Sequence, residues 1–140
     1  MSEINVMDAS AVLAFLNKEK GEDVVDAALG GARSWISTVN YCEVLSKLCE
    51  QAMPEQEACQ TIDELGMVVI DFDLDLAIRA AALRPRTKGI GASLGDRVCL
   101  ALADHALHAD FTPTVYTSER SWSKLHWPFK IAVIRAGKTS

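Results

Sequence analysis

The chain has 140 residues, 49% of them hydrophobic and 24% charged, with a net charge of −5. That fits one globular domain with a single core and an ordinary composition. No run approaches the roughly 20 apolar residues of a membrane helix, and the Met1-Ser2-Glu3-Ile4 start lacks the basic flank of a signal peptide, so the expected compartment is the cytoplasm. The net charge conceals an asymmetry: residues 1–78 hold 15 acids and 4 bases, and residues 79–140 hold 4 acids and 10 bases. Such a split hints at a polyanionic partner. The cysteines, Cys42, Cys49, Cys59 and Cys99, form no C-x-x-C pair. Their spacing matches no zinc ribbon or finger, and free thiols in a reducing compartment are expected.

In chain order, Ile4 to Met7 reads as a short buried strand that ends on Asp8 and turns at once into an apolar helix, Ser10 to Leu16, with Ser10 as its N-cap. Glu22 to Leu29 is a second short helix closed by Gly30-Gly31. Ser34 to Ser37 is a strand, after which Thr38 caps a longer helix to about Gln51. Val39, Cys42, Leu45 and Leu48 keep helical spacing there, with Glu43 in the second turn. Pro54 and the acids after it start a helix that ends near Gly66. Met67 to Ile70 is a continuous apolar run, as expected of a strand covered on both faces.

Asp71 or Asp73 then opens a helix from Leu74 to Leu83, followed by a basic loop punctuated by Gly and Pro, Arg84 to Gly91. Ser93 and Asp96 fit an S-x-x-D capping box at the start of a helix to about Ala106. Thr114 to Thr117 is a strand, Ser118 to Leu125 a short helix, Lys130 to Ile134 a last strand, and about 136–140 a frayed tail. Strands alternating with helices imply a mostly parallel sheet with helices on both faces.

Four acids share one context. Asp8 follows the first strand, Glu43 and Asp96 lie early in helices, and Glu119 follows the strand ending at Thr117. In a parallel sheet these positions fall on one edge. Each acid has a plainer use: Asp8, Asp96 and Glu119 as caps or first-turn acids, Glu43 as a solvated helix residue. Together, however, clustered carboxylates repel one another, and a hard divalent cation relieves that repulsion.

Met7-Asp8-Ala9-Ser10-Ala11-Val12, Asn40-Tyr41-Cys42-Glu43-Val44, Ser93-Leu94-Gly95-Asp96-Arg97 and Tyr116-Thr117-Ser118-Glu119-Arg120-Ser121-Trp122 resemble, in order, the acidic motifs of PIN domains. The nearest likeness is to the VapC-type toxins of bacterial toxin–antitoxin pairs, and it covers residues 4 to about 135. The resemblance implies a PIN-like three-layer α/β/α domain with a five-stranded parallel sheet. It also implies a Mg²⁺- or Mn²⁺-dependent endoribonuclease that cleaves RNA with a metal-activated water. Asp8, Glu43 and Asp96 match the core metal-binding acids; Glu119 stands where aspartate is usual; Ser10 and Thr117 match hydroxyl residues lining the site, with capping and strand-end hydrogen bonding as the alternative. The family further implies a homodimer and a small antitoxin covering the acidic site.

Arg84, Arg86 and Lys88, with Arg97 and Arg120 beside two of the acids, are candidates to grip RNA phosphates, or else simply face water. His105 and His108 are expected at the surface, Asp104 on a helix face, and Trp122 and Trp127 in packing. Two other readings are a phosphoacceptor-like α/β domain, disfavoured by Ala9-Ser10 after Asp8, and a catalytically inactive PIN-like domain that binds RNA or protein. No G-x-G-x-x-G or P-loop supports a nucleotide-binding module.

Overall fold

A computed structural model describes residues 2–135; the tail expected at 136–140 lies outside them. Five strands form one parallel sheet: β1 (Ser2–Met7), β2 (Ser34–Ser37), β3 (Val68–Ile70), β4 (Phe111–Thr117) and β5 (Lys130–Val133), in the order β3-β2-β1-β4-β5. The longest pairing is β1 with β4, running from Ser2 opposite Phe111 to Met7 opposite Tyr116.

The helices are α1 (Ala9–Leu16), α2 (Glu22–Leu29), α3 (Thr38–Glu50), α4 (Glu55–Asp63), α5 (Leu74–Ala82), α6 (Arg84–Thr87) and α7 (Leu94–His108). Because side chains alternate along a strand, β1 feeds two cores. Val6 packs with Leu76, Leu100, Trp122 and their neighbours, whereas Met7 packs with Val12, Val25, Val44 and Ile62. Helices α1–α4 therefore cover one face and α5 and α7 the other, giving the three layers expected. The buried polar residue of β1, Asn5, is satisfied: its Nδ2 donates to the carbonyls of Ala28 at 2.9 Å and Ala32 at 3.3 Å. Those bonds tie the central strand to the end of α2 and the loop after it.

Five expectations change. Asp8, not Ser10, is the N-cap of α1, because its carboxylate accepts from the Ala11 amide. Ser37, not Thr38, caps α3 by accepting from the Asn40 amide, and the Thr38 hydroxyl is engaged by the Phe72 amide instead. β3 is an edge strand, with Val68 and Val69 each 40% exposed, so the apolar run is not covered on both faces. The basic segment is not a plain loop: Arg84–Thr87 forms one helical turn and Lys88–Ile90 a 3₁₀ turn, with Thr87 fully buried and its hydroxyl donating to the Leu83 carbonyl. The short helix after β4 is likewise a 3₁₀ turn, Arg120–Lys124. Trp122 and Trp127 are buried as expected, joined by a bond from Trp127 Nε1 to the Trp122 carbonyl.

Candidate functional site

The chain builds the sheet outward from β1 toward β3, then crosses back to lay β4 on the other side of β1. Connections leaving β1 and β4 therefore diverge, and a crevice opens at their carboxyl ends, where α/β proteins bind ligands. Asp8 stands at the end of β1 and Thr117 at the end of β4.

Asp8 is 3% exposed and densely bonded. Its Oδ1 accepts from the Ala11 amide at 2.8 Å, and Ser10 Oγ lies 2.8 and 2.9 Å from its two oxygens. Thr117 Oγ1 donates to Oδ2 at 2.6 Å. Both hydroxyls also accept: Ser10 Oγ from the Ser118 amide and Thr117 Oγ1 from the Glu119 amide, each at 3.0 Å. The two hydroxyls thus lace the loop after β4 onto the start of α1. Burial pushes the Asp8 carboxyl from 3.8 up to about 6; the bonds from Thr117, Ala11 and Ser10 oppose that rise, and the charge of Asp96 adds to it.

Asp96 is half-buried in the first turn of α7. It completes the capping box: Ser93 Oγ accepts from the Asp96 amide at 3.1 Å, and Asp96 Oδ2 accepts from the Ser93 amide at 2.9 Å. Capping uses one carboxylate oxygen and leaves the negative charge at the crevice. Glu43 is exposed on α3, yet its carboxylate is held: Oε1 accepts from Asn40 Nδ2 at 2.8 Å.

Cys99, one turn after Asp96, is fully buried, and its thiol is pushed well above the ordinary range by burial and then by the charges of Asp8, Asp96 and Glu43. Packing brings two of the acids together directly: the Glu43 carboxylate rests against Gly95, the residue before Asp96. Glu119 reaches the same edge through its backbone, but its side chain is exposed and makes no capping bond.

The donor set is oxygen-only and anionic, which suits Mg²⁺ or Mn²⁺. Among the described residues, no three His, Cys, Asp or Glu groups enclose a metal ion by themselves as they stand.

The basic candidates separate. Arg84, Lys88 and Arg120 are exposed. Arg86 is also exposed, but its guanidinium lies 4.2 Å over the Trp127 ring. Arg97 is half-buried and bonds within the fold, with Nη1 donating to the Ala80 carbonyl at 3.0 Å. His105 and His108 sit beside Asp75 and Asp104, each 3.6 Å from a carboxylate oxygen, and Asp104 pairs with Arg79 at 2.8 Å.

Sequence reasoning passed over Asn40 and Gly95. Asn40 is 1% exposed and bonds to Glu43 and, at 3.2 Å, to the Gly95 carbonyl. The available signal was an asparagine three residues before Glu43 in the first turn of a helix, where that residue is a poor helix former unless its amide is engaged.

No curated protein matches the chain. Several solved structures share its fold. One is from a toxin–antitoxin complex of Klebsiella pneumoniae, 20% identical with a TM-score of 0.66, covering 91% of this chain and 99% of that one. A second is from a DNA-bound VapBC of Salmonella typhimurium, 17% identical with a TM-score of 0.61, covering 94% and 98%. A third is from FitAcB of Neisseria gonorrhoeae, 18% identical with a TM-score of 0.59, covering 91% and 95%. The PIN domain family model matches residues 6–125, a span that runs through the central strand and includes Asp8, Glu43, Asp96 and Glu119. With that match over most of its length, the chain belongs to the PIN domain family.

Proposed function

We propose that this protein is a divalent-metal-dependent endoribonuclease, the toxin of a toxin–antitoxin pair. The observation that carries the reading is the placement of Asp8 at the carboxyl end of β1, bonded to Thr117 at the end of β4, with the Glu43 carboxylate resting against Gly95, the residue before Asp96. Burial is the main cause of the raised Asp8 carboxyl, and the charge of Asp96 adds to it. A bound Mg²⁺ or Mn²⁺ would neutralise these acids, acidify a water and offset charge on a phosphodiester.

The protein's own groups prepare the site for that ion. Ser10, Thr117 and the Ala11 amide fix both Asp8 oxygens before any ligand arrives, so little reorganisation is needed on binding. Asp96 is fixed by its own capping bond, and Glu43 by Asn40. Glu119, longer than the usual aspartate and exposed, is suited to orienting a water from the rim.

Exposed Arg84, Lys88 and Arg120 are available to hold RNA phosphates outside the acidic centre. The origin of the structural neighbours, in complexes named as toxin–antitoxin or VapBC, supports a cognate antitoxin as partner. Leu74 and Ile78, one turn apart on α5 and 75% and 60% exposed, support a homodimer. No helix among the described residues is long and apolar enough to cross a membrane.

A second reading, an inactive PIN domain that only binds RNA or protein, is favoured by the lack of a ready-made three-acid cage among the described residues. The test is cleavage of total cellular RNA by wild type and Asp8→Asn, each with Mg²⁺, Mn²⁺ or EDTA. Cleavage that needs the ion and Asp8 supports the nuclease. Mn²⁺ binding without cleavage, or cleavage indifferent to Asp8→Asn, overturns it.

A further inference from the structure

Asn40 joins three parts of the acid edge. Its Nδ2 donates to Glu43 Oε1 at 2.8 Å and to the Gly95 carbonyl at 3.2 Å, and its Oδ1 accepts from Ser37 Oγ at 3.2 Å. Both N–H groups and the carbonyl oxygen of the amide thereby have partners. Ser37 ends β2, Glu43 sits on α3, and Gly95 immediately precedes Asp96 on α7. One buried side chain therefore links two helices that each carry a site acid.

Glu43 needs that link. It is exposed, and an unrestrained glutamate would spread over many rotamers. Its carboxylate instead rests on Gly95: a Cβ at that position would overlap Glu43 Oε2 and stand 2.7 Å from Cδ and Oε1. Glycine is the poorer helix former in this turn, and the three atoms nearest to such a Cβ all belong to the Glu43 carboxylate, so that carboxylate is what the missing side chain makes room for.

We propose that Asn40 and Gly95 form a cradle that positions the Glu43 carboxylate relative to Asp96, with Asn40 a positioning residue for the metal-holding acids. The inference rests on the reading of Glu43 as one of those acids. Asn40 would act on the ion through Glu43, as outer groups that orient metal ligands do.

The test is Mn²⁺ affinity of the intact protein, by calorimetry or electron paramagnetic resonance at pH 7.5, for wild type, Asn40→Ala, Glu43→Gln and the double variant. Asn40→Ala should weaken Mn²⁺ binding about tenfold or more. It should weaken binding no further in the Glu43→Gln background, because the two residues act as a unit. Equal losses in both backgrounds would mean a merely structural role and overturn the inference, as would wild-type affinity in Asn40→Ala. Wild-type affinity in Glu43→Gln would overturn the reading of Glu43 and this inference with it. A loss in Glu43→Gln with none in Asn40→Ala overturns the inference alone. If Asn40→Ala does not fold, Gly95→Ala gives the same decision. It should displace the carboxylate and weaken Mn²⁺ binding, yet raise Tm in a Glu43→Ala background, where the overlapping carboxylate is gone. Unchanged Mn²⁺ affinity in Gly95→Ala overturns the cradle.

Discussion

Thr117 Oγ1 donates to Asp8 Oδ2 at 2.6 Å across 109 residues of chain, with both side chains buried. The bond fixes the ends of β4 and β1 to each other at the mouth of the crevice. It also offsets part of the burial cost that drives the Asp8 carboxyl upward.

Thr117→Val keeps the volume and removes that donor. Asp8 Oδ2 then loses its shortest bond and the Glu119 amide loses its acceptor. Stability should fall by about 1–3 kcal/mol at pH 7.5. The Asp8 carboxyl should titrate above its wild-type value of about 6. Thermal melts and the pH dependence of the Asp8 carboxyl carbon shift check both. An unmoved titration would mean that the hydroxyl does little to hold the charge.

Asp8→Asn should abolish cleavage while stabilising the metal-free protein. The folded carboxyl, at about 6, lies above its unperturbed value of 3.8. Between about pH 4 and 6 the folded state therefore binds more protons than the unfolded chain. The contribution of Asp8 to stability is greatest below that window, falls as pH rises through it, and is flat above it. At pH 7.5 the ionised buried carboxylate costs up to about 3 kcal/mol, a net figure in which its hydrogen bonds have already offset part of the burial penalty. Asn should thus gain about 1–3 kcal/mol at pH 7.5, and the gap should close toward pH 4. Melts in EDTA from pH 4 to 8 measure it. A destabilisation equal at both ends would show that the charge is not the strained element.

The sheet and the acid edge were legible because they rest on local signals. Apolar runs mark strands, capping residues mark the turns after them, and parallel connectivity sends both to one edge. Asp8 after Met7 and Asp96 after Ser93 were visible on those grounds. What escaped was set by tertiary neighbours. β3 could not be identified as an edge strand from Val68-Val69-Ile70, because strand order is not encoded in one strand's composition. The loss of Arg97 to the Ala80 carbonyl depends on how α5 crosses α7. Asn40 and Gly95 matter only because α3 and α7 meet there, 55 residues apart in sequence. Which cap is used was also ambiguous locally: Asp8 and Ser10 are both good N-caps, and the choice follows from the Thr117 and Ser118 contacts that draw both into the crevice.

The basic residues should divide by their surroundings. Charge reversal of Arg84 and Lys88, both exposed, should weaken binding of a catalytically silent variant to single-stranded RNA. It should also reduce the magnitude of the salt slope by about 0.7 per lost phosphate contact. Arg97→Gln should leave the slope nearly unchanged and lower Tm instead, since its guanidinium serves α5. Fluorescence binding titrations from 50 to about 300 mM salt separate the two. An unchanged slope in the double reversal would assign those charges to a solvated surface.

Asp96 has two duties, and its neighbours allow them to be separated. The capping box belongs to Ser93 and Asp96 together, whereas the charge acts on Asp8 and Cys99. Ser93→Ala removes the cap without touching the crevice. It should cost about 1 kcal/mol of stability and leave the Mn²⁺-induced rise in Tm intact. Asp96→Asn keeps an oxygen that can accept from the Ser93 amide but removes the charge that pushes on Asp8. The metal-free protein should therefore be as stable as wild type or more so, and the rise in Tm with Mn²⁺ should shrink or vanish. If Asp96→Asn merely destabilises, as Ser93→Ala does, and Mn²⁺ raises all three Tm values alike, Asp96 is a helix cap and not an acid of the metal centre.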